Sequence, residues 1–333
     1  MKESLKNILD LFVYNKNAIA NDFKWDNSYL YPACSLIYTK QNLQADVKSI
    51  KQCCNTIKSN TGAFSPFRGI SKLALAANLS LEENPEEMFS KYLKAYECLK
   101  GLFGLGSSTY LPFSAAIIAK LSQDEEYKCI AEKAGTLFNL VKKQHPVLTS
   151  GEDAGYAVLL ALSDVWGSSM DAAAEVERCY SRLKSICLSS NSIQSLAFVL
   201  ALSPENADLK CAKAIELFNA FKESRHKYGT SYELASLGVI ASSSQNVQSI
   251  VDETCQADDY LKNIKGFGNL RFGSKMRLMY SAILVSTQYG ADSNTCLAST
   301  VNSVTSMMIA QQTAIISAMV AASAAASASS SSS

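Results

Sequence analysis

The 333-residue sequence contains three short stretches whose side chains could bind a ligand or catalyse a reaction. The first is Phe64–Gly69, where Arg68 could clamp a carboxylate or a phosphate, because a guanidinium presents a planar fork of hydrogen-bond donors. The alternative is that Arg68 caps helix carbonyl groups or pairs with an acid while Phe64 and Phe67 pack a corner. Because arginine often forms structural ion pairs, we prefer this structural interpretation.

Paired carboxylates could supply acid–base chemistry, as in glycoside hydrolysis by two carboxyl groups set apart across a cavity. Most acidic pairs of this sequence fall in the first turn of a predicted helix, where the helix dipole explains them. Glu152-Asp153 is the exception, because the pair follows Gly151 in a predicted loop and is close in sequence to Tyr156 and Trp166. Capping is still the preferred interpretation of the pair, and an acid–base role is the alternative.

Residues 261–280 interleave basic and aromatic side chains, and no acidic residue occurs between Asp259 and Asp292. The set comprises Lys262, Lys265, Arg271, Lys275 and Arg277, together with Phe267, Phe272 and Tyr280. Cations next to aromatic faces can bind a nucleotide or single-stranded nucleic acid. Five cations over about fifteen residues are a weak footprint, so we prefer the interpretation that these charges face water at two helix ends and a loop.

Cofactor and metal motifs are missing from the sequence. The glycines at 266, 268 and 273, and those at 101, 104 and 106, miss the G-x-G-x-x-G spacing, and no strand is predicted before either set. The two histidines, His145 and His226, lie near predicted helix ends without a Cys, Asp or Glu at metal-ligand spacing. A Ser-His-Asp or Cys-His arrangement stays open, because such groups need to be close only in space. We therefore predict no cofactor and no metal, and we assign no catalytic residue. The candidate ligand-binding residues are Arg68, Glu152, Asp153, Tyr156 and Arg271.

A recurring helix would have to position these residues. The run Leu196–Ser203, which reads LAFVLALS, has counterparts along the chain that each end at a hydroxyl residue, 39 to 44 residues from the next. These corner hydroxyls belong to Thr39, Ser80, Ser122, Ser163, Ser203, Ser242 and Ser286. A period near forty is typical of a solenoid, a propeller or a closed array. The positions three, four and seven residues earlier carry mostly small or apolar side chains, which share one face of an α-helix.

Each corner hydroxyl is interpreted as the turn between a short helix and a longer, more charged one. Ser80, Ser122 and Ser242 have Glu or Gln three residues later, which fits a capping box at the start of the longer helix. Ser203 precedes a proline, which suits the first helical position. The longer helices are predicted over 42–58, 85–103, 124–144, 169–188, 205–226, 246–265 and 293–325.

The predicted fold is all-α, with seven tandem α-hairpins of about 41 residues that form a superhelix or a closed α/α toroid. An amphipathic N-terminal helix over 3–21 precedes the hairpins and a C-terminal closing helix follows them. The segments are 1–27 for the N-terminal helix and the link after it, 28–290 for the hairpin array, 291–325 for the closing helix and 326–333 for a disordered Ser-rich tail. The loops that lead from each longer helix to the next short helix, called returns below, are predicted to share one rim of the array. Loops on a rigid scaffold commonly carry function.

Composition restricts the partners and the compartment. Lys plus Arg is 31 against 30 for Asp plus Glu, so the charge does not indicate a nucleic-acid partner. Ten cysteines without a C-x-x-C pair, and a first segment without a signal-peptide core, favour the reducing cytoplasm. The uncharged stretch 293–333 is interrupted by Gln311, Gln312 and many serines, so a packed closing helix is preferred over a membrane span.

The stretch NTGAFSPFRG (60–69), followed by LALAANLSLEENPEEMF (73–89), resembles a bacterial family known as domain of unknown function number four thousand and three. The F-S-x-F-R-G run, the short Ala/Leu-rich helix, the N-P-E-E helix start and the Ala/Ser-rich C-terminus are the shared features. The resemblance covers nearly the whole chain and implies a bacterial, cytoplasmic protein. It implies no activity and gives no residue a role.

Two functions remain open at this point. The preferred one is a non-catalytic helical-repeat scaffold that binds a protein or peptide, because no catalytic constellation outweighs its structural explanation. The alternative is an enzyme with its active site in the cavity of an α/α toroid, acting through Arg and carboxylate residues of the rim. A deep polar pocket at Arg68, Glu152, Asp153 or Tyr156 would favour the enzyme, and a shallow apolar groove would favour the scaffold. Nucleic acid and membrane are disfavoured as partners, and the oligomeric state is left open.

Overall fold

The computed structural model describes residues 1–290 except 25, 27, 70, 105–108, 164, 187, 188, 244, 270 and 271, and only the backbone of the last two residues of that range. Over these residues the protein is all-α, with fourteen α-helices, short 3-10 turns and no strand. The all-α class predicted from the sequence is therefore confirmed for these residues. The closing helix predicted over 291–325 and the tail at 326–333 lie outside the described residues.

Longer and shorter helices alternate along most of the chain. They are α1 (Glu3–Asp22), α2 (Leu30–Thr39), α3 (Val47–Ser59), α4 (Lys72–Leu79), α5 (Pro85–Leu99), α6 (Leu111–Leu121), α7 (Tyr127–Gln144), α8 (Asp153–Ser163), α9 (Ser169–Leu183), α10 (Ser190–Ala201), α11 (Ala207–Glu223), α12 (Leu234–Ala241), α13 (Val247–Lys262) and α14 (Ser274–Gly290). The helix predicted over 3–21 is α1, and the six longer helices predicted up to residue 265 are α3, α5, α7, α9, α11 and α13, with ends within five residues of those expected.

The two kinds of helix differ in how they are buried. In α10 every residue from Ser192 to Ala201 is buried, and in α12 all eight residues are. In α5 only Phe89, Tyr92, Ala95 and Leu99 are buried, which is the spacing of one helical stripe. α10 and α12 are therefore surrounded by protein over almost their whole length, whereas α5 has an outer face in water.

Helix contacts follow a regular order. Each odd-numbered helix packs on the even-numbered helix that follows it, from α1 on α2 to α13 on α14. Even-numbered helices also contact the next even-numbered one, from α2–α4 to α12–α14, and odd-numbered helices contact the next odd-numbered one, from α1–α3 to α11–α13. At Gly238 of α12 an added Cβ would lie 2.7 Å from Val199 Cγ1 of α10, so this contact between short helices depends on the missing side chain.

The first helix also contacts the last two helices described. The ring centroid of Phe12 lies 5.8 Å from that of Phe267 and 5.6 Å from that of Tyr280. On the outer surface the Tyr260 hydroxyl donates to Asp10, and Lys2 Nζ lies 2.6 Å from Glu253 Oε1. Residues some 250 positions apart in the chain thus share one apolar cluster.

The corner hydroxyls do not cap the longer helices, so that part of the sequence interpretation is wrong. Six of the seven donate back, over 2.7–2.9 Å, to a carbonyl three or four residues earlier in their own short helix. Each of these six hydroxyls therefore bonds back to its own helix instead of capping the next one. The seventh, in Ser203, accepts from the Glu205 amide, but α11 begins only at Ala207. The side chains that cap longer helices are instead those of Asp46, Asn84, Ser168, Asn206 and Asn246.

Leu200→Asp tests the burial of the short helices. Leu200 is 0% exposed within α10, so the variant would bury an unpaired carboxylate and should lose about 3–5 kcal/mol of stability, measured by urea unfolding. Leu209→Asp is the matched control, because Leu209 of α11 is 62% exposed and should tolerate the change. Equal stability of Leu200→Asp and the parent would contradict the assignment of α10 as core.

Candidate functional site

The structure brings three of the predicted ligand-binding residues together at the start of α8. Asp153 is 1% exposed, and its Oδ2 accepts a hydrogen bond of 3.0 Å from the Ser150 amide. Tyr156 follows one turn later, is also 1% exposed, and its ring stacks on Phe198 of α10 with centroids 6.0 Å apart. Glu152 is partly exposed beside them. The contact of Asp153 with Ser150 is half of a capping box, so this carboxylate supports the beginning of α8.

Burial changes the acidity of this group of side chains. It raises the pKa of Asp153 to about 7, with a smaller upward effect from Glu152 and opposing effects of the hydrogen bonds from Ser150 and Gln194. Burial also raises the pKa of Glu152. The pKa of Tyr156 is well above its usual value, because of burial first and then the charges of Glu152 and Asp153. The two carboxyl groups therefore hold protons at a higher pH than ordinary surface acids.

Two neighbouring helices add polar groups to the cluster. Gln194 of α10 donates from Nε2 to Thr149 Oγ1 over 3.2 Å, while its Oε1 has no hydrogen-bond partner among the described atoms. Tyr110, the residue before α6, is partly exposed, and burial followed by the charges of Glu152 and Asp153 raises its pKa. Chemically, the arrangement could donate a proton near neutral pH. Among the described titratable side chains of this cluster, Glu152 and Tyr110 are partly exposed and could contact a substrate.

Arg68 lies in a different turn and makes structural contacts. Its Nε donates to Thr61 Oγ1 over 3.1 Å, and its Nη2 donates to the carbonyl groups of Lys58 and, at 2.5 Å, Thr61. The guanidinium thus caps the C-terminal end of α3. These donors are occupied by backbone carbonyls and the Thr61 hydroxyl, as the structural interpretation of the sequence expects. Phe67 is buried, but Phe64 is 101% exposed, so the expectation that Phe64 packs a corner is wrong.

The basic and aromatic stretch 261–280 divides into different environments. Lys262, Lys265 and Lys275 are exposed, as expected, but Arg277 is 2% exposed and forms a two-fold hydrogen-bonded pair with Asp258, at 2.8 and 3.1 Å. The expectation that all five cations face water is therefore wrong for Arg277. The remaining candidate, Arg271, lies outside the described residues.

A small cavity adjoins this stretch where α1 meets the last described turn. It measures about 130 Å³ and its lining is mostly apolar. The lining residues are Lys16, Ala20, Ser28, Tyr29, Tyr31, Gly266 and Phe272. Lys16 Nζ lies 4.7 Å from the ring centroid of Phe267, a cation–π distance. The cavity could hold only a small molecule, and it is separate from the Asp153 cluster.

A buried ion pair that the sequence patterns did not indicate joins two longer helices. Lys210 of α11 and Glu175 of α9 have side chains that are each 2% exposed, and Lys210 Nζ lies 2.7 Å from Glu175 Oε1. Lys210 also donates to the Ser203 carbonyl over 2.8 Å, and Arg178 Nη1 donates to Glu175 Oε2 over 2.5 Å. The available signal was the place of Lys210 in the stripe formed by Ala207, Cys211 and Ala214. The pair holds α9 against α11.

The large apolar side chains that are most exposed fall in the returns from longer to short helices. Phe64, between α3 and α4, is 101% exposed, and Val147, between α7 and α8, is 90% exposed. Met170 and Leu209, 70% and 62% exposed, lie instead in the first turns of α9 and α11, at the opposite ends of the helices. Side chains this exposed contribute nothing to the core, and single exposed apolar side chains are common on protein surfaces.

The described residues define an all-α protein in which buried short helices lie against longer amphipathic ones. A family model described as Protein of unknown function (DUF4003) matches residues 14–314, and the chain belongs to that family. Comparison with curated proteins and with solved structures gave no match. Within the described part of the chain, no helix is both long enough and apolar enough to cross a membrane.

Asp153→Asn should change how stability depends on pH. The pKa of Asp153 is about 7 in the folded protein and near 3.9 in an unfolded chain, so between these values only the folded state keeps the proton. Its contribution to stability is complete below pH 4 and is lost as the pH rises to 7, by up to about 4 kcal/mol. The asparagine variant cannot ionise, so it should gain stability relative to the parent between pH 4 and 8 in urea unfolding. A stability difference that stays constant with pH would show that Asp153 is not buried as described.

Proposed function

We propose that the fourteen helices form a closed α/α ring of seven hairpins, and that this ring is a non-catalytic scaffold that binds a protein or peptide at one rim. The contacts of α1 with α13 and α14 support closure. In this arrangement α1 is the outer helix of the first hairpin, and each unit consists of a long helix followed by a short one. The eight described cysteines are free thiols, which agrees with work in the reducing cytoplasm.

The observation that carries the proposal is the exposure of Phe64 and Val147 on the returns between long and short helices. In the proposed ring all these returns lie at the same end, where the short helices begin. Exposed aromatic and aliphatic side chains become binding anchors when a partner provides a pocket that excludes water. These two are held on turns next to rigid helices, so little conformational entropy would be lost on binding.

The spacing of the two anchors favours a macromolecular partner. One complete hairpin, α5–α6, lies between the turn that carries Phe64 and the turn that carries Val147. Because packed helices are 8–10 Å apart, two steps around the ring separate the anchors by roughly 20 Å. A small molecule does not span this distance, whereas an extended peptide or a folded domain does.

An enzyme remains a second candidate because of one specific observation. Burial raises the pKa values of both Glu152 and Asp153, which would allow one of them to act as a general acid near neutral pH. The 1% exposure of Asp153 and Tyr156 places this function second, because a substrate would reach the carboxylates only past Glu152 and Tyr110.

Affinity capture from a bacterial lysate tests the scaffold function. A Phe64→Ser, Val147→Ser variant should lose a captured protein that the parent retains, with at least a ten-fold weaker affinity when the isolated partner is titrated. Met170→Ser, Leu209→Ser is the matched control, because it removes equally exposed apolar side chains from the opposite end. Capture that is unchanged in the first variant, or lost equally in both, would contradict the proposed rim.

A further inference from the structure

His226 is held in place by the end of α11. Arg225 adopts the left-handed conformation with φ of 64°, the His226 amide donates to the Phe221 carbonyl, and the Arg225 amide donates to the Lys222 carbonyl. These two hydrogen bonds form a Schellman motif, which fixes the backbone after the helix. The imidazole is therefore attached to a defined backbone position and faces α13.

The hydrogen bonds of the ring determine which nitrogen is available. His226 Nδ1 lies 3.0 Å from the Ser224 carbonyl oxygen, and since a carbonyl can only accept, Nδ1 carries the hydrogen. In the neutral imidazole Nε2 is then left with a free lone pair. When a histidine binds a metal ion through one ring nitrogen, the other ring nitrogen usually donates a hydrogen bond, often to a backbone carbonyl.

Two carboxylates of α13 face this nitrogen. Nε2 lies 3.4 Å from Asp259 Oδ1 and 3.7 Å from Asp258 Oδ2, and all three atoms lie within 4.8 Å of one another. Ionised carboxylates only accept hydrogen bonds, so a neutral imidazole would point its lone pair at two other acceptors. A cation between them, either a proton on Nε2 or a metal ion, is needed to make this arrangement favourable.

The other histidine shows what a direct contact looks like in the same chain. His145 Nε2 lies 2.5 Å from Glu177 Oε2, a distance at which a single hydrogen links the two atoms. The two distances at His226 are about 1 Å longer. Zn²⁺ binds nitrogen and oxygen at 2.0–2.2 Å, so neighbouring ligand atoms of a tetrahedral zinc site are roughly 3.4 Å apart.

The surroundings of the group fix one carboxylate and leave the other accessible. Arg277 pairs with Asp258 through Nε and Nη2, which holds that carboxylate in place. The Asp259 side chain is 61% exposed, so the group is open to solvent on one side.

We propose that His226, Asp258 and Asp259 form a Zn²⁺ site on the outer surface between α11 and α13. Nε2 and one oxygen from each carboxylate are three ligands, and water occupies the fourth position on the exposed side. Binding cross-links the end of α11 to α13. The site is independent of the proposed rim, and zinc coordination leaves the covalent bonds of the protein unchanged.

Calorimetric titration of the metal-free, full-length protein with Zn²⁺ tests this site. The Cys129→Ser variant is the parent, because Cys129 is exposed while the other described cysteines are buried or partly buried, and it could bind zinc adventitiously. In this background we expect one Zn²⁺ per chain. Asp259→Asn should weaken binding at least ten-fold and His226→Gln at least a hundred-fold, while His145→Gln should bind like the parent.

Folding is checked by the far-UV circular dichroism and melting temperature of each metal-free variant. Asp259→Asn keeps the proposal testable if His226→Gln is unstable, because the Asp259 side chain is mostly exposed. Affinity that is unchanged in both variants would place the zinc elsewhere. The absence of saturable binding in the parent would mean that a proton alone occupies the space. Either result would overturn the proposal.

Discussion

The short helices α10 and α12 are buried along almost their whole length, so they must be covered on every side. α10 and α12 have no exposed stripe, so no pair of neighbouring helices alone could bury them. Small side chains make the necessary close approach possible, as at Gly238 against Val199. The longer helices supply the outer cover, and their own outer faces carry the charges.

An open array would leave the first and last hairpins with apolar surface in water, which repeat proteins usually solve with polar capping units. Here α1 contacts α13 and α14, as the proposed ring requires. Four aromatic side chains contact one another across this junction, those of Phe12, Phe267, Phe272 and Tyr280. The packing of α1 on α13 and α14 affects the rest of the molecule. It determines the rigidity of the proposed rim, the spacing of Phe64 and Val147, and the position of α11 relative to α13.

Much of the helical organisation could be predicted from the sequence because it is local. Apolar residues repeating every three or four positions identify the stripe of α5, and uninterrupted apolar runs identify α10 and α12. The role of the corner hydroxyls was not predictable in the same way. A serine followed three residues later by Glu fits a capping box, but Ser80 lies five residues before the start of α5, and its hydroxyl bonds backwards to Ala77 instead.

The candidate sites also differ in whether their residues are neighbours in the sequence. Glu152, Asp153 and Tyr156 are neighbours in sequence, so composition and loop position were enough to group them. His226 is 32 residues from Asp258 and 33 from Asp259, and Glu175 is 35 residues from Lys210. These side chains meet only because two longer helices lie side by side. The sequence predicts those helices, but their rotation depends on packing against the short helices, which no single helix specifies.

The closure of the first helix on the last two is the central claim, and hydrogen exchange of a Phe12→Ala variant tests it most directly. Phe12 is 0% exposed and contacts Phe267 and Tyr280, so its truncation removes packing on both sides of the junction. The account predicts faster amide exchange in α13 and α14 as well as in α1 and α2, with α7 and α8 unchanged. Faster exchange restricted to α1 and α2 would show that the two ends of the array do not support each other, and would contradict the ring.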